Sequence, residues 1–526
     1  MDQLVALPKL VVEIDGTPLS IAAGRNLLSV RVQQRLSLPT LCELVFIDPM
    51  GEFTNSSTMT MHAGAEIRIL LQEQDALLFK GQITALDYTY GPSNQRIIHV
   101  RGYDHLHQLR KRQPVCAHVE LTLVELVRSL TSDLGITIEA ESSGPVWDKL
   151  VQYRQSDLEF ITEVAERCGL YFTLRDDTLH LISLQGLDQA PVTLEQGKSL
   201  LEVRILANAD PACRDVVTTA WNPWLAEEHR GHASKARSGR EIETEISPDN
   251  FGGTGERTLV DEALQNDTQA DVMAQAELDR RVAGEVILSG VADGDPVLQP
   301  GSAVSLSGVA ETFAGRYVLT EVTHTFDHQK GYVSEFETKP PQVHKRERST
   351  LSTVGVVTRV DDPEELGRIK VMLPNYNDVE TNWLQVVIPG AGDDKGVVAL
   401  CDVDDRVMVL LHRDDPAQGV VLGGLYGSTS PPDTGVNNGA IRRYNIQTPG
   451  GQRINLDDDE NTVRINTGED TFIELSPGTA RLENSDGSFV ELSRKKLTIH
   501  AEVDLEIQAP GKAIVIRGKS IDFESG

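Results

Sequence analysis

Residues 453–500 read RINLDDDENTVRINTGEDTFIELSPGTARLENSDGSFVELSRKKLTIH. Pairs of alternating apolar residues recur there about every 7–10 residues, separated by Asp, Asn, Gly or Pro, which is typical of very short β-strands joined by turns. The pattern continues to residue 523 and predicts nine strands. Their apolar pairs are Ile454/Leu456, Val463/Ile465, Ile473/Leu475, Ala480/Leu482, Val490/Leu492, Leu497/Ile499, Leu505/Ile507, Ile514/Ile516 and Ile521/Phe523.

Strands with only two inward residues cannot close a core within one chain, so the repeat must bury its apolar face against copies of itself. Residues 446–526 therefore predict an intertwined β-prism needle in a homotrimer. A single-chain solenoid and an ordinary β-sandwich are the alternatives. A solenoid would need longer and more regular strands, and the short strands and scarce aromatic residues count against a sandwich. We expect the needle core to contain Ile454, Leu456, Val463, Ile465, Ile473, Leu475, Val490, Leu492, Leu505, Ile507, Ile514 and Ile516. At the tip, Ile521 and Phe523 would form a small apolar patch that docks another protein.

Residues 346–430 predict a compact barrel that precedes the needle. Its strands read GVVTRV, GRIKVMLP, WLQVVIP, VVALCDV, RVMVLLH and GVVLGGLYG, with turns at Asp361–Pro363 and Asp414–Pro416. A connector over residues 431–445, rich in Gly, Pro and Asn, joins the barrel to the needle. Upstream, Lys339–Pro341 and the charged run HKRERST predict a linker.

Residues 1–345 predict a strand-rich region with a small helical part. Strands are expected at Leu10–Ile14, Leu41–Ile47, Ile67–Leu71 and Ile97–Val100, and again from Tyr171 through Thr325. Apolar residues at helical spacing predict helices over residues 122–134 and 157–168, the second closed by Gly169. The polar stretch over residues 225–257 predicts a long exposed loop or a partly disordered excursion. The fold class is thus mainly β with a small helical part.

Composition excludes several classes of function. The 526 residues hold 49 Lys and Arg against 79 Asp and Glu, a net charge of −30, so nucleic acid and anionic membranes are poor partners. Aromatic residues make up only 5%, which disfavours a surface for stacking sugars or bases. No apolar run is long enough to span a bilayer, and the start, with Asp2 and no basic region, predicts no secretory signal. The scattered cysteines predict reduced core thiols: Cys42, Cys116, Cys168, Cys213 and Cys401.

Enzyme motifs are absent or incomplete in the sequence. Neither GxSxG nor HExxH occurs. Gly197–Ser199 mimics the end of a phosphate loop, but Val192 stands where the first glycine is needed. Gly390–Gly392 leads into another strand and so predicts a hairpin turn, not a dinucleotide site.

Two clusters could bind a metal, and a structural role is favoured for both. Asp104, His105 and His107 could ligate a metal, since residues two apart lie on one face of a strand, but no further ligand is near in sequence. Asp457–Glu460 lacks the glycine and spacing of a calcium loop and predicts a solvated turn. We therefore predict no catalytic residue, no cofactor and no metal; His500, the last histidine, stands alone.

Several long segments, taken in order, resemble the VgrG spike proteins and phage tail hub proteins. They are RGYDHLHQLRKR (101–112), VQYRQSDLEFITEVAERCGLYFTL (151–174), GRYVLTEVTHTFDHQKGYVSEFE (315–337) and GVVTRVDDPEELGRIKVMLP (355–374) with the strands that follow it. The last is similar to the OB-fold barrel of the phage baseplate spike. Without an appended effector, the chain most resembles the spike of extracellular contractile injection systems, such as antifeeding prophages and Photorhabdus virulence cassettes.

The resemblance implies a homotrimeric spike and hub at the tip of a contractile tail. Each hub would carry two similar β-barrels, at about 1–112 and 200–340, with a helical part at about 115–170. Six barrels in the trimer would match a hexameric inner tube protein, and the needle would puncture the target envelope. The family also implies a PAAR-like tip protein, baseplate proteins and effector cargo as partners. Synthesis would be cytoplasmic, followed by assembly into a particle released outside the cell.

Two other classes of function stay open at this stage. A tail-associated hydrolase would turn over a peptidoglycan or glycan, although the connector 431–445 is too short for an inserted lysozyme domain. A receptor-binding fibre would bind cells, which the low aromatic content disfavours.

Overall fold

The structure of the chain is a computed structural model. It describes residues 9–48, 61–72, 74–92, 96–222, 227–251, 255–264, 266–327, 329–343, 351–412, 415–468 and 470–524. The charged run HKRERST of the predicted linker lies outside these residues. The chain divides into two compact units, Met1–Gly424 and Leu425–Gly526, and the limits of smaller domains inside them stay predictions. No helix among the described residues is long and apolar enough to cross a membrane.

The first strands form a curled sheet around a closed apolar core. Period-two alternation places Val30, Val32, Leu44 and Phe46 in that core, because successive side chains of a strand point to opposite faces. The predicted strands are confirmed here, two of them to the residue. The elements are β1 Leu10–Ile14, β2 Thr17–Pro18, α1 Ile21–Arg25, β3 Leu27–Arg35, β4 Leu41–Ile47, β5 Glu66–Leu71, β6 Ala76–Tyr90 and β7 Arg96–Tyr103.

A small helical part follows. Its two main helices begin at capping boxes, in which the Thr122 and Ser156 hydroxyls accept backbone N–H groups and Glu125 and Glu159 reach back to the capping residues. Both predicted helices are confirmed, and the first ends four residues before predicted Leu134. The elements are the 3-10 helix His105–Lys111, β8 Cys116–Leu121, α2 Leu123–Leu130, β9 Thr137–Ala140, β10 Trp147–Gln152, α3 Asp157–Arg167, β11 Tyr171–Arg175 and β12 Thr178–Ile182.

The next region contains a second curled sheet and the longest helix of the described residues. The elements are β13 Val192–Glu195, β14 Leu200–Ala207, β15 Asp215–Asn222, β16 Glu227–Ala233, β17 Glu241–Ile242, the 3-10 helix Pro248–Phe251, β18 Glu256–Ala263, α4 Asp267–Ala283, β19 Val286–Asp293, β20 Ala303–Ser307, the 3-10 helix Glu311–Phe313, β21 Gly315–Val318, β22 Glu321–Asp327 and β23 Gly331–Glu337.

The predicted long loop over residues 225–257 is wrong, because β16, β17, the 3-10 helix Pro248–Phe251 and the start of β18 fall within it. The sequence also gave no sign of α4. The buried residues of α4 include three alanines and the polar Gln269 and Asp279, so its apolar face is faint in the sequence. At Gly231 of β16 a Cβ atom would lie 2.1 Å from the carbonyl carbon of Ala270, so strand and helix approach as closely as backbone allows.

The two curled sheets are continuous with each other. Eleven strands are hydrogen-bonded in the order β14-β19-β23-β22-β3-β4-β7-β6-β5-β1-β2, and the link between the halves is the antiparallel pair of β22 with β3. Distant parts of the chain thereby form one surface. The predicted fold class, mainly β with a small helical part, is confirmed.

Residues 351–424 form a six-stranded sheet in the order β26-β25-β24-β28-β29-β27. Five of the six predicted strands are confirmed. The segment VVALCDV over residues 397–403 is not a strand, and Val397 and Val398 are exposed, because no neighbouring strand pairs with it in the single chain. The elements are β24 Leu351–Arg359, β25 Lys370–Leu373, the 3-10 helix Pro374–Tyr376, β26 Val379–Glu380, β27 Gln385–Val386, β28 Arg406–Leu411 and β29 Gly419–Gly424.

The barrel packs on the helical part through β10. Val151 and Tyr153 enter the barrel's apolar core, and the rings of Tyr153 and Tyr376 meet edge to face with centroids 5.7 Å apart. Lys149 donates hydrogen bonds from Nζ to the carbonyl oxygens of Glu380 at 2.8 Å and Thr381 at 3.1 Å. Burial, together with nearby Lys370, lowers the pKa of Lys149.

The second unit is a meander of short antiparallel strands, β32 to β38 in sequence order. Six of the nine predicted strands are confirmed, but residues 501–524 form no strand in the single chain. The predicted connector 431–445 holds the small hairpin β30-β31 and the start of β32. The elements are β30 Val436–Asn437, β31 Ala440–Ile441, β32 Arg443–Gln447, β33 Arg453–Asp457, β34 Thr462–Asn466, β35 Phe472–Ser476, β36 Thr479–Glu483, β37 Phe489–Ser493 and β38 Leu497–His500.

A buried ion pair holds the first turn of the barrel. Arg368 donates from Nε to Asp362 Oδ2 at 2.9 Å and from Nη2 to Oδ1 at 2.7 Å, and both side chains are almost fully buried. The guanidinium hydrogen bonds and the backbone N–H groups of Glu364 and Arg368 hold the pKa of Asp362 well below its usual range. The sequence identified this turn but not the burial of its second aspartate.

The substitution Asp362→Asn is expected to destabilise the barrel by about 3 kcal/mol, because removing one partner of a buried pair leaves an uncompensated charge. The adjacent Asp361→Asn is the matched control, since its pair with Arg359 is exposed to solvent and adds little stability. Hydrogen exchange of peptides from β24 and β28 in increasing urea measures the difference. Equal shifts for the two variants would contradict the role given to the buried pair.

Candidate functional site: the apolar face of the C-terminal sheet

Two continuous rows of apolar side chains cover one face of the meander β32–β38. The strand register places apolar residues directly opposite each other in every successive pair of strands. The first row is Ile446, Ile454, Ile465, Ile473, Leu482, Val490 and Ile499. The second row is Tyr444, Leu456, Val463, Leu475, Ala480, Leu492 and Leu497. The side chains of the first row are 37 to 63% exposed, so this face has no cover within the chain.

The opposite face of the same sheet is polar and internally paired. Arg464 and Glu474 form an ion pair at 3.2 Å, and Arg481 and Glu491 form another at 2.9 Å, each across neighbouring strands. The two guanidinium groups also lie over the rings of Phe472 and Phe489, 3.9 and 4.1 Å from their centroids. One face is therefore suited to water and the other is suited to burial.

The structure brings eight of the twelve predicted core residues into these rows. They are Ile454, Leu456, Val463, Ile465, Ile473, Leu475, Val490 and Leu492. The sequence missed Tyr444 and Ile446, which open the rows on β32. The alternation in RYNIQ at residues 443–447 was the available signal, but the strand falls inside the stretch that composition marks as a connector.

The remaining predicted residues lie in the part of the chain that forms no strand. Leu505, Ile507, Ile514 and Ile516 are all more than half exposed, and Ile521 is exposed as well. Phe523 is 90% exposed. A strand needs a neighbour to pair with, and these residues have none in the single chain; their place in a needle core or at a tip stays a prediction.

The cluster Asp104, His105 and His107 has a structural role. The segment is a 3-10 helix and not the predicted strand, and Asp104 caps it. Its Oδ2 accepts the backbone N–H of Thr40 at 2.6 Å and its Oδ1 accepts that of Leu106 at 3.0 Å. Burial raises the pKa of Asp104 to about 6, although these hydrogen bonds oppose the shift. Among the described residues no group of three or more His, Cys, Asp or Glu side chains is arranged to hold a metal.

The other candidate motifs are turns. Asp457 accepts the backbone N–H groups of Asp459 and Glu460 in the turn between β33 and β34, as predicted for a solvated turn. Lys198 pairs with Glu195 at 2.7 Å between β13 and β14, so its ammonium is engaged locally. Gly392 and Lys395 form a bridge in the predicted hairpin.

One pairing of a nucleophile with a base among the described residues is Cys116 with His118, on one face of β8. Cys116 Sγ lies 3.5 Å from His118 Nε2. Burial and the nearby Asp157 carboxylate raise the pKa of the Cys116 thiol, and burial lowers the pKa of His118. Both groups are therefore held neutral, whereas an activated cysteine needs a lowered pKa. This geometry does not favour the hydrolase alternative.

Comparison with known families assigns most of the chain. Residues 5–328 match the family described as the Alg8 N-terminal domain, a range that extends from the first strand through β22. The chain belongs to the Alg8 N-terminal domain family. Residues 353–426 match a second family, the type VI secretion system/phage-baseplate injector OB domain, and this confirms the predicted OB-type barrel.

A curated relative is similar to this chain over a longer stretch than either family match. The type VI secretion system spike protein VgrG4b of Pseudomonas aeruginosa is 22% identical over 459 residues, which cover 75% of this chain and 55% of that protein. The chain thus spans about half the length of its curated relative. The predicted resemblance to VgrG is confirmed: this member of the Alg8 N-terminal domain family is VgrG-like in sequence.

Solved structures show the same fold. The E. coli c3393 protein, a type VI secretion component described as similar to the phage T4 tail proteins gp27 and gp5, aligns with a TM-score of 0.53 at 12% identity, covering 79% of this chain and 99% of that one. The lidded PdpA-VgrG complex of Francisella aligns with a TM-score of 0.53 at 9% identity, covering 94% and 80%. The chain has the fold of these type VI secretion and phage-tail proteins.

The VgrG-like segment over residues 151–174 has a clear structural role. Its first residues, Val151 and Tyr153, dock the OB domain, and Gln152 donates to Asp157 Oδ1 at 2.8 Å. Ser156 then caps α3, which fills the core of the helical part. The segment therefore fastens the OB domain to the region matched by the Alg8 N-terminal domain family.

The substitution Asp104→Asn is expected to flatten the pH dependence of stability between pH 4 and 7. The pKa of Asp104 is raised to about 6 in the folded chain, so its stabilising contribution is complete below the unfolded pKa of about 4 and is lost as pH rises through 6. Relative to the variant, the native chain should lose about 2–3 kcal/mol over that range. Calorimetry at a series of pH values measures it.

Asp133→Asn is the control for this titration, because hydrogen bonds from Arg112 lower the pKa of Asp133 and the sign of its effect is opposite. If Asp104→Asn and the native chain changed in parallel from pH 4 to 7, the buried carboxyl would not be the titrating group.

Proposed function

We propose that three copies of the chain form the spike and hub of a contractile, phage-tail-like injection machine. The observation that carries the proposal is the two-row apolar face of β32–β38, backed by an ion-paired polar face. Three such sheets arranged around one axis bury their apolar rows against each other and leave the paired charges outside. The resulting prism is the needle.

Burial of these rows supplies the stability of the needle. Fully burying a Val, Leu or Ile side chain is worth about 1.5–3 kcal/mol, and each chain offers two rows of such residues. The residues between 501 and 524 have the same alternation and are exposed in the single chain. In the trimer they gain neighbouring strands and extend the needle towards Ile521 and Phe523.

The hub adapts a hexameric inner tube to the threefold needle. Each chain contains two curled sheets that join through β22 and β3, so three chains present six units to the tube. A closed ring needs matching rotational symmetry for every contact to be made, and the doubled unit supplies it.

The needle works by force. A net charge of −30 per chain gives no attraction to anionic lipid, so entry into the target envelope depends on the thrust of sheath contraction. A PAAR-like protein docks on the apolar tip at Ile521 and Phe523, baseplate proteins surround the hub, and effector cargo travels with the spike. The chain is synthesised in the cytoplasm and released in the assembled particle.

The substitution Ile465→Asp is expected to abolish trimer formation. It places three carboxylates at one level of the needle core, where an unpaired buried charge costs several kcal/mol. Light scattering coupled to size-exclusion chromatography gives the mass in solution: a trimer for the native chain and a monomer for the variant.

Asn466→Asp is the matched control, since it introduces the same charge one residue along β34 on the polar face. It should leave the trimer intact. A native chain that elutes as a monomer, or an Ile465→Asp variant that stays trimeric, would overturn the proposed needle.

A further inference from the structure

A cleft of about 590 Å³ opens where three parts of the first unit meet. One wall is formed by the end of β3 and the β5–β6 hairpin, the second by the β11–β12 hairpin, and the third by the loop over residues 296–299. Lys80 of β6 pairs with Asp177 of the β11–β12 hairpin at 2.8 Å, so an ion pair joins the first two walls. We call this space the Gln34–Arg175 cleft, after one residue from each of these walls. Its volume is typical of small-molecule sites, which measure about 300–1,000 Å³.

Gln34 places an unpaired amide oxygen on the first wall. Residues 30, 32 and 34 of β3 share one face of the strand, and the first two are valines of the apolar core. Gln34 continues their row and is only 8% exposed, yet its Oε1 accepts no hydrogen bond from a residue that the structure describes. Buried amide groups are costly to leave unpaired. The cleft beside this side chain is where a ligand can supply the donor.

Arg175 places a cation without a counter-ion on the second wall. Its guanidinium donates from Nη2 to the carbonyl oxygen of Pro300 at 2.7 Å and to Ser302 Oγ at 3.1 Å, and from Nη1 to Gln189 Oε1 at 3.2 Å. These oxygens are neutral, and within the described ranges Nε has no acceptor and no carboxylate forms an ion pair with this side chain. Burial lowers the pKa of Arg175 to about 10, against the opposing charge of Asp176. A cation in this position fits an anionic ligand group.

Carboxylates also line the cleft. Asp75 and Asp176 are exposed and Asp104 is buried, and none of the three forms an ion pair with another described residue. The other basic groups of the cleft, Lys80 and His180, already contact carboxylates at 2.8 and 3.3 Å. A ligand with only a negative charge would be repelled by the aspartates, whereas a ligand with both charges finds a partner for each.

We propose that the Gln34–Arg175 cleft binds a small zwitterion of the α-amino acid class. The ligand carboxylate pairs with the Arg175 guanidinium, at Nε or at Nη1 in place of the exposed Gln189 side chain. The ligand ammonium donates to Gln34 Oε1 and is attracted by the aspartates of the cleft. The proposal goes beyond the proposed spike and does not depend on it, because every lining residue belongs to one chain.

The apolar part of the cleft indicates the side chain of the ligand. Leu77, Leu174, Pro296 and Val297 line it, and Val297 is 56% exposed. An apolar ligand side chain that packs against these residues removes apolar surface from water on both sides. Leucine is therefore the probe chosen for the test.

Two analogues of leucine separate the contributions of its charges. Leucinamide replaces the carboxylate by a neutral amide, and isocaproate lacks the ammonium. Saturation-transfer NMR titrations with the full-length chain give the dissociation constant of each compound. Leucine is expected to bind at least about tenfold more tightly than either analogue, because each analogue loses a charge-assisted hydrogen bond.

Two substitutions remove the protein side of each contact. Arg175→Gln should abolish the preference for leucine over leucinamide. Gln34→Met, which keeps the length of the side chain, should weaken leucine binding by about threefold to tenfold. The matched control is Gln33→Met, on the opposite face of β3, where the amide donates to Glu321 Oε1 at 2.6 Å; it should bind leucine as the native chain does. Thermal melting shows whether each variant folds, and if Arg175→Gln does not, the comparison of Gln34→Met with Gln33→Met decides.

Three results would each contradict the site. They are no saturation transfer to leucine at millimolar concentration, equal affinities of the native chain for leucine and either analogue, and equal affinities of Gln34→Met and Gln33→Met for leucine. A native chain that is monomeric would leave the expected binding unchanged. Failure of this site and failure of the proposed needle are therefore separate results.

Discussion

This structure depends on one constraint: apolar side chains of a strand must be covered, and some strands cannot cover them within their own chain. In the N-terminal region, curled sheets bring the apolar side chains of several long strands together, and Leu44, Phe46 and Ile69 are fully buried. In the C-terminal sheet the strands carry two apolar residues each, and a flat meander of them has only one apolar face. The N-terminal region reaches a closed core alone, whereas the C-terminal sheet leaves its apolar face uncovered within the chain.

Polar interactions also differ between the closed N-terminal core and the open C-terminal sheet. In the closed part of the chain the ion pair of Arg368 and Asp362 is buried and hydrogen-bonded, and such a pair fixes geometry because breaking it is costly. Where the chain is open, the charges stay on the outer face and pair across strands, as Arg464 and Glu474 do. These exposed pairs add little stability, but they make the polar face of the sheet costly to bury, so the apolar face is the one suited to burial.

Much of this could be read from the sequence, since period-two alternation identifies half-buried strands directly. It located β1 and β4 to the residue, and apolar residues at helical spacing predicted both helices of the helical part. It failed where the buried surface is made of small residues: α4 packs through alanines on Gly231, and these carry almost no hydrophobic signal. It also failed at residues 397–403 and 501–524, where alternation is present but the single chain offers no strand to pair with. Alternation shows which face of a strand would be buried. It does not show whether a neighbouring strand is present to pair with it.

The internal junction of β22 with β3 also changes the entropy of assembly. Bringing free bodies together costs each about 4–15 kcal/mol in translational and rotational freedom. A ring of six separate units would lose that freedom five times, whereas three chains with the units already joined lose it twice. The covalent link holds the edges of β22 and β3 at an effective concentration that free subunits do not reach. In the proposed ring of three chains, half of the junctions between units would thus form during folding, before two copies of the chain have met.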